Sequence, residues 1–183
     1  VHGVHGDGWM IRIGGATGYW GESDLGLPQF MAHGNLDFIV FDYLAEITMS
    51  IMARAKAGDP DKGYATDFVN TVVGQHLEAI AQSGVKLISN AGGVNPEACG
   101  AAIRQLVDAA GLSLKVAVAT GDDLMPSLDA LFDARPREMF SGKEPPPREL
   151  IASANAYLGA FPIAQALSCD ADIVVTGRCV DSA

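Results

Sequence analysis

The sequence predicts an α/β fold: an open, mostly parallel sheet with helices on both faces, in the three-layer arrangement of Rossmann-like domains. Short apolar runs alternate with segments of helical periodicity, which is typical of strands joined by crossover helices. Most runs are apolar throughout, as in parallel sheets that are covered on both faces. A closed barrel of eight such units typically needs about 250 residues, whereas this chain has 183. An open sheet is therefore preferred.

Six strands are expected, and most of them are followed at once by glycine or acidic residues. The clearest helix begins at Asn95 as N-cap, with Pro96 as its first helical residue, and ends before Gly111. Two more helices are predicted over 45–56 and 67–83, the second with apolar residues at helical spacing. The predicted strands cover about 10–13, 38–41, 85–89, 115–119, 153–157 and 172–176.

The pattern places a single domain over residues 10–183, preceded by a flexible N-terminal extension over 1–9. Residues 133–149 carry clustered proline and charge, which predicts a surface excursion, either a tolerated insertion or a lid. No apolar run in the sequence approaches the roughly 20 residues of a transmembrane helix. A membrane is therefore not an expected partner.

The composition is apolar and acidic. Hydrophobic residues make up 49% of the chain, and the net charge is −10. Because nucleic acids and anionic membranes are polyanions, this charge argues against both as partners. The expected partner is a small-molecule substrate. The mean hydropathy of +0.19 predicts more apolar surface than one core hides, and hence a homo-oligomer. The cysteines show no CxxC spacing, so neither a disulfide framework nor a zinc site is indicated, and a cytoplasmic location fits best.

Polar and glycine residues follow the predicted strands, and at the carboxyl edge of a parallel sheet such residues meet in one crevice. The first group is GGATGYWGES at 14–23, where backbone N–H groups could approach a phosphate or carboxylate. The alternative is a tight turn that needs glycine for positive φ. The predicted ligand-binding residues of this group are Gly14, Gly15, Thr17 and Gly18.

The second group, FDYLAE at 41–46, contains two carboxylates four residues apart. If a helix begins near Tyr43, Asp42 and Glu46 lie on adjacent turns of one face. Their repulsion would then separate their pKa values, as a general acid and base require. The same pair could hold a divalent cation. The alternative is helix capping by Asp42 and pairing of Glu46 with a distant arginine. Both carboxylates are candidate catalytic residues, with Tyr43 as a ligand contact.

Two further groups follow the next strands. In SNAGGVNP, Asn90 is a candidate catalytic donor to a carbonyl, and the amides around Gly92 and Gly93 could form an oxyanion site. In TGDDL, Asp122 and Asp123 are candidate ligand-binding residues, of which one is expected to cap a helix while the other faces the crevice.

The last group, TGRCVDSA, supplies a bidentate donor for carboxylate or phosphate in Arg178, a fourth catalytic candidate. Gly177 and Asp181 are predicted to contact the ligand, and a salt bridge between Arg178 and Asp181 is the alternative. The neighbouring arginine is also expected to lower the pKa of the Cys179 thiol.

Several of these segments resemble the core, N-terminal domain of the acyclic terpene utilisation proteins of the AtuA type. The resemblance runs from about Ile11 to the last residue, and its motifs are long and collinear. FDYLAE matches the most distinctive motif of that family. The other segments are VKLISNAGG at 85–93, GDDL at 121–124, SANAYLGA at 153–160 and DIVVTGRCVDSA at 172–183.

The resemblance implies a bacterial protein of acyclic terpene or branched-acid breakdown, a pathway whose intermediates are coenzyme A thioesters. It also implies a native chain that continues beyond Ala183. The expected activity is that of an enzyme acting on a branched acyl-CoA, by a hydration or a carbon–carbon lyase step. The alternative is a non-catalytic acyl-CoA-binding or assembly subunit of a catabolic complex.

Overall fold

The computed structural model describes residues 10–180, so the predicted extension over 1–9 and the predicted contact Asp181 lie outside the described residues. Five strands form one sheet. They are β1 (Ile13–Thr17), β2 (Phe38–Phe41), β3 (Lys86–Ser89), β4 (Val116–Ala119) and β5 (Ile173–Thr176). Their order in the sheet is β1-β2-β3-β5-β4, and every neighbouring pair is parallel. The predicted open α/β fold is confirmed.

Helices connect successive strands, as the alternating periodicity predicted. They are α1 (Gly26–His33), α2 (Glu46–Gly58), α3 (Leu77–Ser83), α4 (Pro96–Ala109), α5 (Leu128–Asp133) and α6 (Phe161–Ser168). The helix predicted over 67–83 is instead two pieces, a π-helical segment Phe68–Val73 and α3. None of the helices within residues 10–180 is long and apolar enough to cross a membrane.

The core lies on both sides of β5. All four residues of this strand are buried. Ile173 and Val175 belong to the main hydrophobic cluster with Ile103 of α4, whereas Val174 is buried on the other face. From β3 the chain passes through α4 to β4, at the edge of the sheet, and then returns through α6 to β5. The two connections run in opposite directions across the sheet. Because crossovers between parallel strands are right-handed, α4 and α6 therefore lie on opposite faces. The result is a three-layer arrangement.

The first strand starts later than predicted, and its glycines are not in a turn. Gly14, Gly15 and Thr17 belong to β1 itself. Gly14 is buried, and a Cβ at this position would lie 2.8 Å from Leu36 and 3.1 Å from the ring of Phe30. Glycine is therefore needed for close packing beneath α1, a tertiary contact that local periodicity does not reveal.

The sixth predicted strand, over 153–157, is wrong. This stretch makes only isolated bridges, Asp123 with Asn155 and Leu158 with Cys179. It crosses the carboxyl edge of the sheet between the loops that follow β4 and β5. It therefore pairs with these loops and with none of the five strands. We call residues 152–158 the crossing segment.

Asp172 ties together the opposite, amino-terminal edge of the sheet. Its Oδ1 accepts a hydrogen bond from Lys86 Nζ at 2.6 Å, and its Oδ2 accepts one from the backbone N–H of Lys115 at 2.8 Å. Burial raises the pKa of this carboxyl, but the bonds from Lys86 and Lys115 outweigh burial, and the pKa is lowered overall. The ionised form is therefore the one that stabilises the sheet.

We expect Asp172→Asn to lower stability at neutral pH and to have little effect in acid. A lowered carboxyl pKa stabilises the folded protein above the unfolded-state pKa of about 3.9, and this contribution is lost as the pH falls through the folded-state pKa. Melts of both proteins from neutral pH into acid, to a pH at which the carboxyl is protonated in the folded protein too, measure the difference in stability, since each 1 kcal/mol shifts Tm by about 2–4 °C. Asp170→Asn is the control, because Asp170 is exposed and 3.7 Å from Lys115. A Tm difference that persists in acid would contradict this expectation.

Candidate functional site

The loops predicted to form a crevice lie along one edge of the sheet. Because all five strands are parallel, their carboxyl ends meet there. Contacts link the neighbouring strand ends: Thr17 Oγ1 donates to the Asp42 carbonyl at 3.1 Å, and Asn90 Nδ2 donates to Asp42 Oδ1 at 2.6 Å. Further along, the backbone N–H of Arg178 donates to Asp122 Oδ2 at 2.9 Å. The prediction of a shared edge is confirmed.

Asp42 and Asn90 hold the loop after β2. Asn90 accepts the backbone N–H of Tyr43 at 2.7 Å while its amide nitrogen donates to Asp42. Asp42 Oδ1 also accepts the N–H of Leu44 at 3.3 Å. Both ends of the Asn90 carboxamide thus have protein partners, although the sequence suggested a donor free to meet a carbonyl. In this arrangement the side chain shapes the loop.

Tyr43 belongs to the core. Its ring stacks on Phe41 and meets the edge of Phe68, and the residue is 2% exposed. Desolvation by burial raises the pKa of its phenol. Because Tyr43 and Leu44 turn inward, the helix begins only at Glu46 and not near Tyr43. The ligand contact of the Tyr43 ring is therefore not supported, and the predicted placement of Asp42 and Glu46 on adjacent helical turns is wrong.

The loop before α4 does not present free amides. The N–H of Gly92 donates to the Thr176 carbonyl at 3.1 Å, and that of Gly93 donates to the Asn90 carbonyl at 3.2 Å. The oxyanion site predicted for these amides is therefore absent from this conformation. Gly93 has a φ of +56°, and a Cβ there would collide with Met52 Sδ. Tight packing and a left-handed backbone explain this glycine.

The helix caps also differ from the prediction. Asn95 stands at the N-cap of α4, yet its side chain makes no cap bond. Its amide donates instead to the carbonyls of Pro60 and Lys62, both at 2.8 Å.

The glycine-rich segment after β1 was predicted to offer backbone N–H groups to a phosphate or carboxylate. The N–H of Gly18 does donate to a carboxylate, but this is the side chain of Glu22, at 2.6 Å.

A polar cluster of Glu46, Tyr157 and Arg178 forms where α2 meets the crossing segment. The Tyr157 hydroxyl donates to Glu46 Oε1 at 3.0 Å, and Arg178 Nη2 is 3.7 Å from the same oxygen. The guanidinium carbon of Arg178 lies 4.3 Å from the centroid of the Tyr157 ring. The Arg178 side chain is 3% exposed and that of Glu46 is 81% exposed. The ion pair therefore joins a buried cation to a carboxylate that solutes can reach.

This polar cluster brings together two of the four predicted catalytic residues. It also bears out the alternative that Glu46 pairs with a distant arginine. Tyr157 was missed, because its approach to Glu46 depends on the path of the crossing segment. Contact of Asp181 with Arg178 lies outside the described residues.

Asp122 fastens the crossing segment to the sheet. The residue is 2% exposed, and its Oδ2 accepts the N–H of Arg178 at 2.9 Å and Asn155 Nδ2 at 3.0 Å. Its backbone carbonyl accepts the N–H of Ala156 at 2.8 Å. A Cβ on Gly177 would collide with the Asp122 carboxylate, so this glycine is required by packing. The carboxylate is therefore a buried tie between two loops.

Asp123 and Cys179 complete this edge. Asp123 is exposed, and its Oδ1 accepts a hydrogen bond from the N–H of Met125 at 2.9 Å, just before a short 3₁₀ turn whose N-cap is Leu124. Neither aspartate is a helix N-cap, so the predicted cap is wrong. The lowered thiol pKa expected for Cys179 is wrong. Burial raises the pKa of this thiol, and neither its hydrogen bond with Thr176 nor the charge of Arg178 compensates.

An open groove runs between α2, the loop before α4, the loop after β4 and the crossing segment. It consists of two hollows of about 250 and 190 Å³ that share Lys56, Val94 and Asp123 as lining residues. We call it the edge groove. Asp122 also lines it, whereas Asp42, Glu46, Asn90 and Arg178 do not. The lining residues that the sequence did not suggest include Ala53, Lys56, Ala57, Val94, Glu97, Met125, Ala152, Ser153 and Asn155.

The described residues offer no group of three or more His, Cys, Asp or Glu side chains that could hold a metal ion. Asp42 and Glu46 have different partners, namely Asn90 for the first and Tyr157 for the second. A cation shared by these two carboxylates is thus not supported by their geometry.

Comparison with known proteins assigns the chain to a family. A family model described as acyclic terpene utilisation family protein AtuA matches residues 11–183, which is nearly the whole chain. No curated protein and no solved structure matches it.

Proposed function

Since the chain belongs to the acyclic terpene utilisation family AtuA, we propose that it is a cytoplasmic enzyme of acyclic terpene or branched-acid catabolism that acts on a branched acyl-CoA thioester. The proposed reaction is a hydration or a carbon–carbon lyase step. The observation that carries this proposal is the polar cluster. In it the solvent-exposed carboxylate of Glu46 accepts a hydrogen bond from the Tyr157 hydroxyl and forms an ion pair with the buried guanidinium of Arg178. These groups suit proton transfer next to a carbonyl.

The roles within the polar cluster follow from their chemistry. Glu46 is the general base, because Arg178 favours its ionised form. In a hydration, Glu46 takes a proton from water as the water oxygen attacks the β-carbon of an unsaturated thioester. Tyr157 gives a proton to the α-carbon, and the direct Tyr157–Glu46 hydrogen bond then returns the proton from acid to phenolate. The positive charge of Arg178 also stabilises the enolate that forms in between.

The alternative is a non-catalytic acyl-CoA-binding or assembly subunit. One observation favours it. Asp42, Asn90 and the amides of Gly92 and Gly93 already have partners within the protein, so these predicted site residues offer less to a reacting carbonyl than the sequence suggested. The polar cluster, with its exposed carboxylate, favours the enzyme.

Incubation with a panel of branched unsaturated acyl-CoA thioesters tests the proposal. We expect mass spectrometry to show a product heavier by one water, or two shorter fragments, for at least one thioester. The saturated analogues are the control for hydration, because they lack the double bond that water must attack. Tight binding of the whole panel without any change in mass would overturn the enzyme and favour the binding subunit.

A further inference from the structure

The edge groove has small side chains along one wall. Ala53 and Ala57 are four residues apart on α2 and therefore lie on the same face of that helix, and both line the larger hollow. Ala152 of the crossing segment lines it as well. Methyl groups in these places leave room along α2. Because the two hollows adjoin at Lys56, Val94 and Asp123, an extended chain can lie through both.

The charge of the edge groove argues against an anionic occupant. Among the described residues that line it, Lys56 is the one base, whereas Glu97, Asp122 and Asp123 are acidic. Lys56 Nζ already donates one hydrogen bond, to the Val94 carbonyl at 2.7 Å. With three carboxylates against one ammonium group, a phosphate or carboxylate in the groove would be repelled.

Polar atoms along the edge groove suit amides. Lys56 carries three donors, of which one is used in the contact with Val94. Ser153 and Asn155 add a hydroxyl and a carboxamide to the lining, and Asp123 adds a carboxylate acceptor. The apolar side chains of Ala57 and Met125 line the same hollow. Apolar lining with a few fixed polar groups is the usual composition of a small-molecule site.

We infer that the edge groove binds a neutral, extended chain that carries amide groups. The inference rests on the proposed function, because the neutral chain of a coenzyme A thioester is its pantetheine arm. The neighbouring tie through Asp122 links this groove to Arg178, and hence to the polar cluster. A pantetheine arm in the groove would lead its thioester towards Glu46, while the charged nucleotide end would remain outside.

Calorimetric titration with pantetheine tests this inference. We expect Ala57→Leu to weaken pantetheine binding about tenfold or more, which corresponds to about 1.4 kcal/mol, because the added side chain fills the groove. Ala55→Leu is the matched control, since Ala55 is exposed on the same helix and does not line the groove. Pantothenate, which lacks the cysteamine end and its amide and carries a carboxylate there, should bind more weakly than pantetheine.

Equal affinity of the wild-type protein and Ala57→Leu for pantetheine would overturn the inference, as would tighter binding of pantothenate. Turnover of acyl-CoA thioesters by the same variants separates this outcome from failure of the proposed function. If the wild-type protein converts a thioester and Ala57→Leu has the same KM, pantetheine binding in the edge groove is refuted and the proposed enzyme activity stands. If Ala57→Leu loses pantetheine binding and the wild-type protein converts no thioester, pantetheine binding in the edge groove stands and the proposed enzyme activity is refuted.

Discussion

Asp122→Ala is expected to destabilise the protein by about 2–4 kcal/mol, because it removes the acceptor of two hydrogen bonds in a buried place. The N–H of Arg178 and the amide of Asn155 would lose Oδ2, which now lies 2.9 and 3.0 Å from them. Water cannot easily replace it at a residue that is 2% exposed. Denaturant unfolding followed by circular dichroism measures the loss of free energy.

Asp123→Ala is the control for Asp122→Ala. Asp123 is exposed and its side chain accepts one hydrogen bond, from the N–H of Met125, whose loss typically costs about 1 kcal/mol. Asp122→Asn should lie between the two, since an amide oxygen still accepts one or both bonds while the charge is gone. Equal unfolding free energies for Asp122→Ala and Asp123→Ala would show that the buried tie contributes little.

Most of the sheet could be predicted from the sequence because β2, β4 and β5 are continuous apolar runs, which indicate burial on both faces. Positions 38–41 appear in the structure as predicted. The stretch 153–157 reads SANAY, which is small and polar, and it pairs only through isolated bridges. What decides its structure is the position of the loops after β4 and β5, and no local pattern reports that position.

The candidate site was predicted at the level of the sheet edge but not at the level of single contacts. Parallel strands bring their carboxyl ends together whatever their side chains, so Asp42, Asn90 and Arg178 were expected to share an edge. The partner of each group depends on the path of the chain. Asp122 was predicted to contact a ligand and is instead a buried link between two loops. Tyr157 was not singled out, although it lies in SANAYLGA, and its hydroxyl donates a hydrogen bond to Glu46. Self-association, predicted from hydropathy, stays a prediction.

Glu46→Gln is expected to lower turnover by about 10²- to 10⁴-fold, the usual contribution of a general base. The substitution keeps the volume and still accepts the Tyr157 hydroxyl, but it removes the charge that takes the proton. Because the Glu46 side chain is 81% exposed, the Tm of the Glu46→Gln variant should stay close to that of the wild-type protein. Activity and Tm are measured on the same preparation, with Glu78→Gln as a control for an exposed carboxylate at another helix start.

Asp42→Asn decides whether the second carboxylate also transfers a proton, as the sequence suggested. An amide oxygen at this position still accepts the N–H of Leu44, so the loop after β2 should keep its shape. A loss of turnover comparable with that of Glu46→Gln, at an unchanged Tm, would assign proton transfer to both carboxylates. A loss that follows a lowered Tm would assign Asp42 a role in positioning the loop. Full activity in Glu46→Gln and Asp42→Asn together would remove the carboxylate mechanism and leave the binding subunit as the better account, because the polar cluster would then have no chemistry to perform.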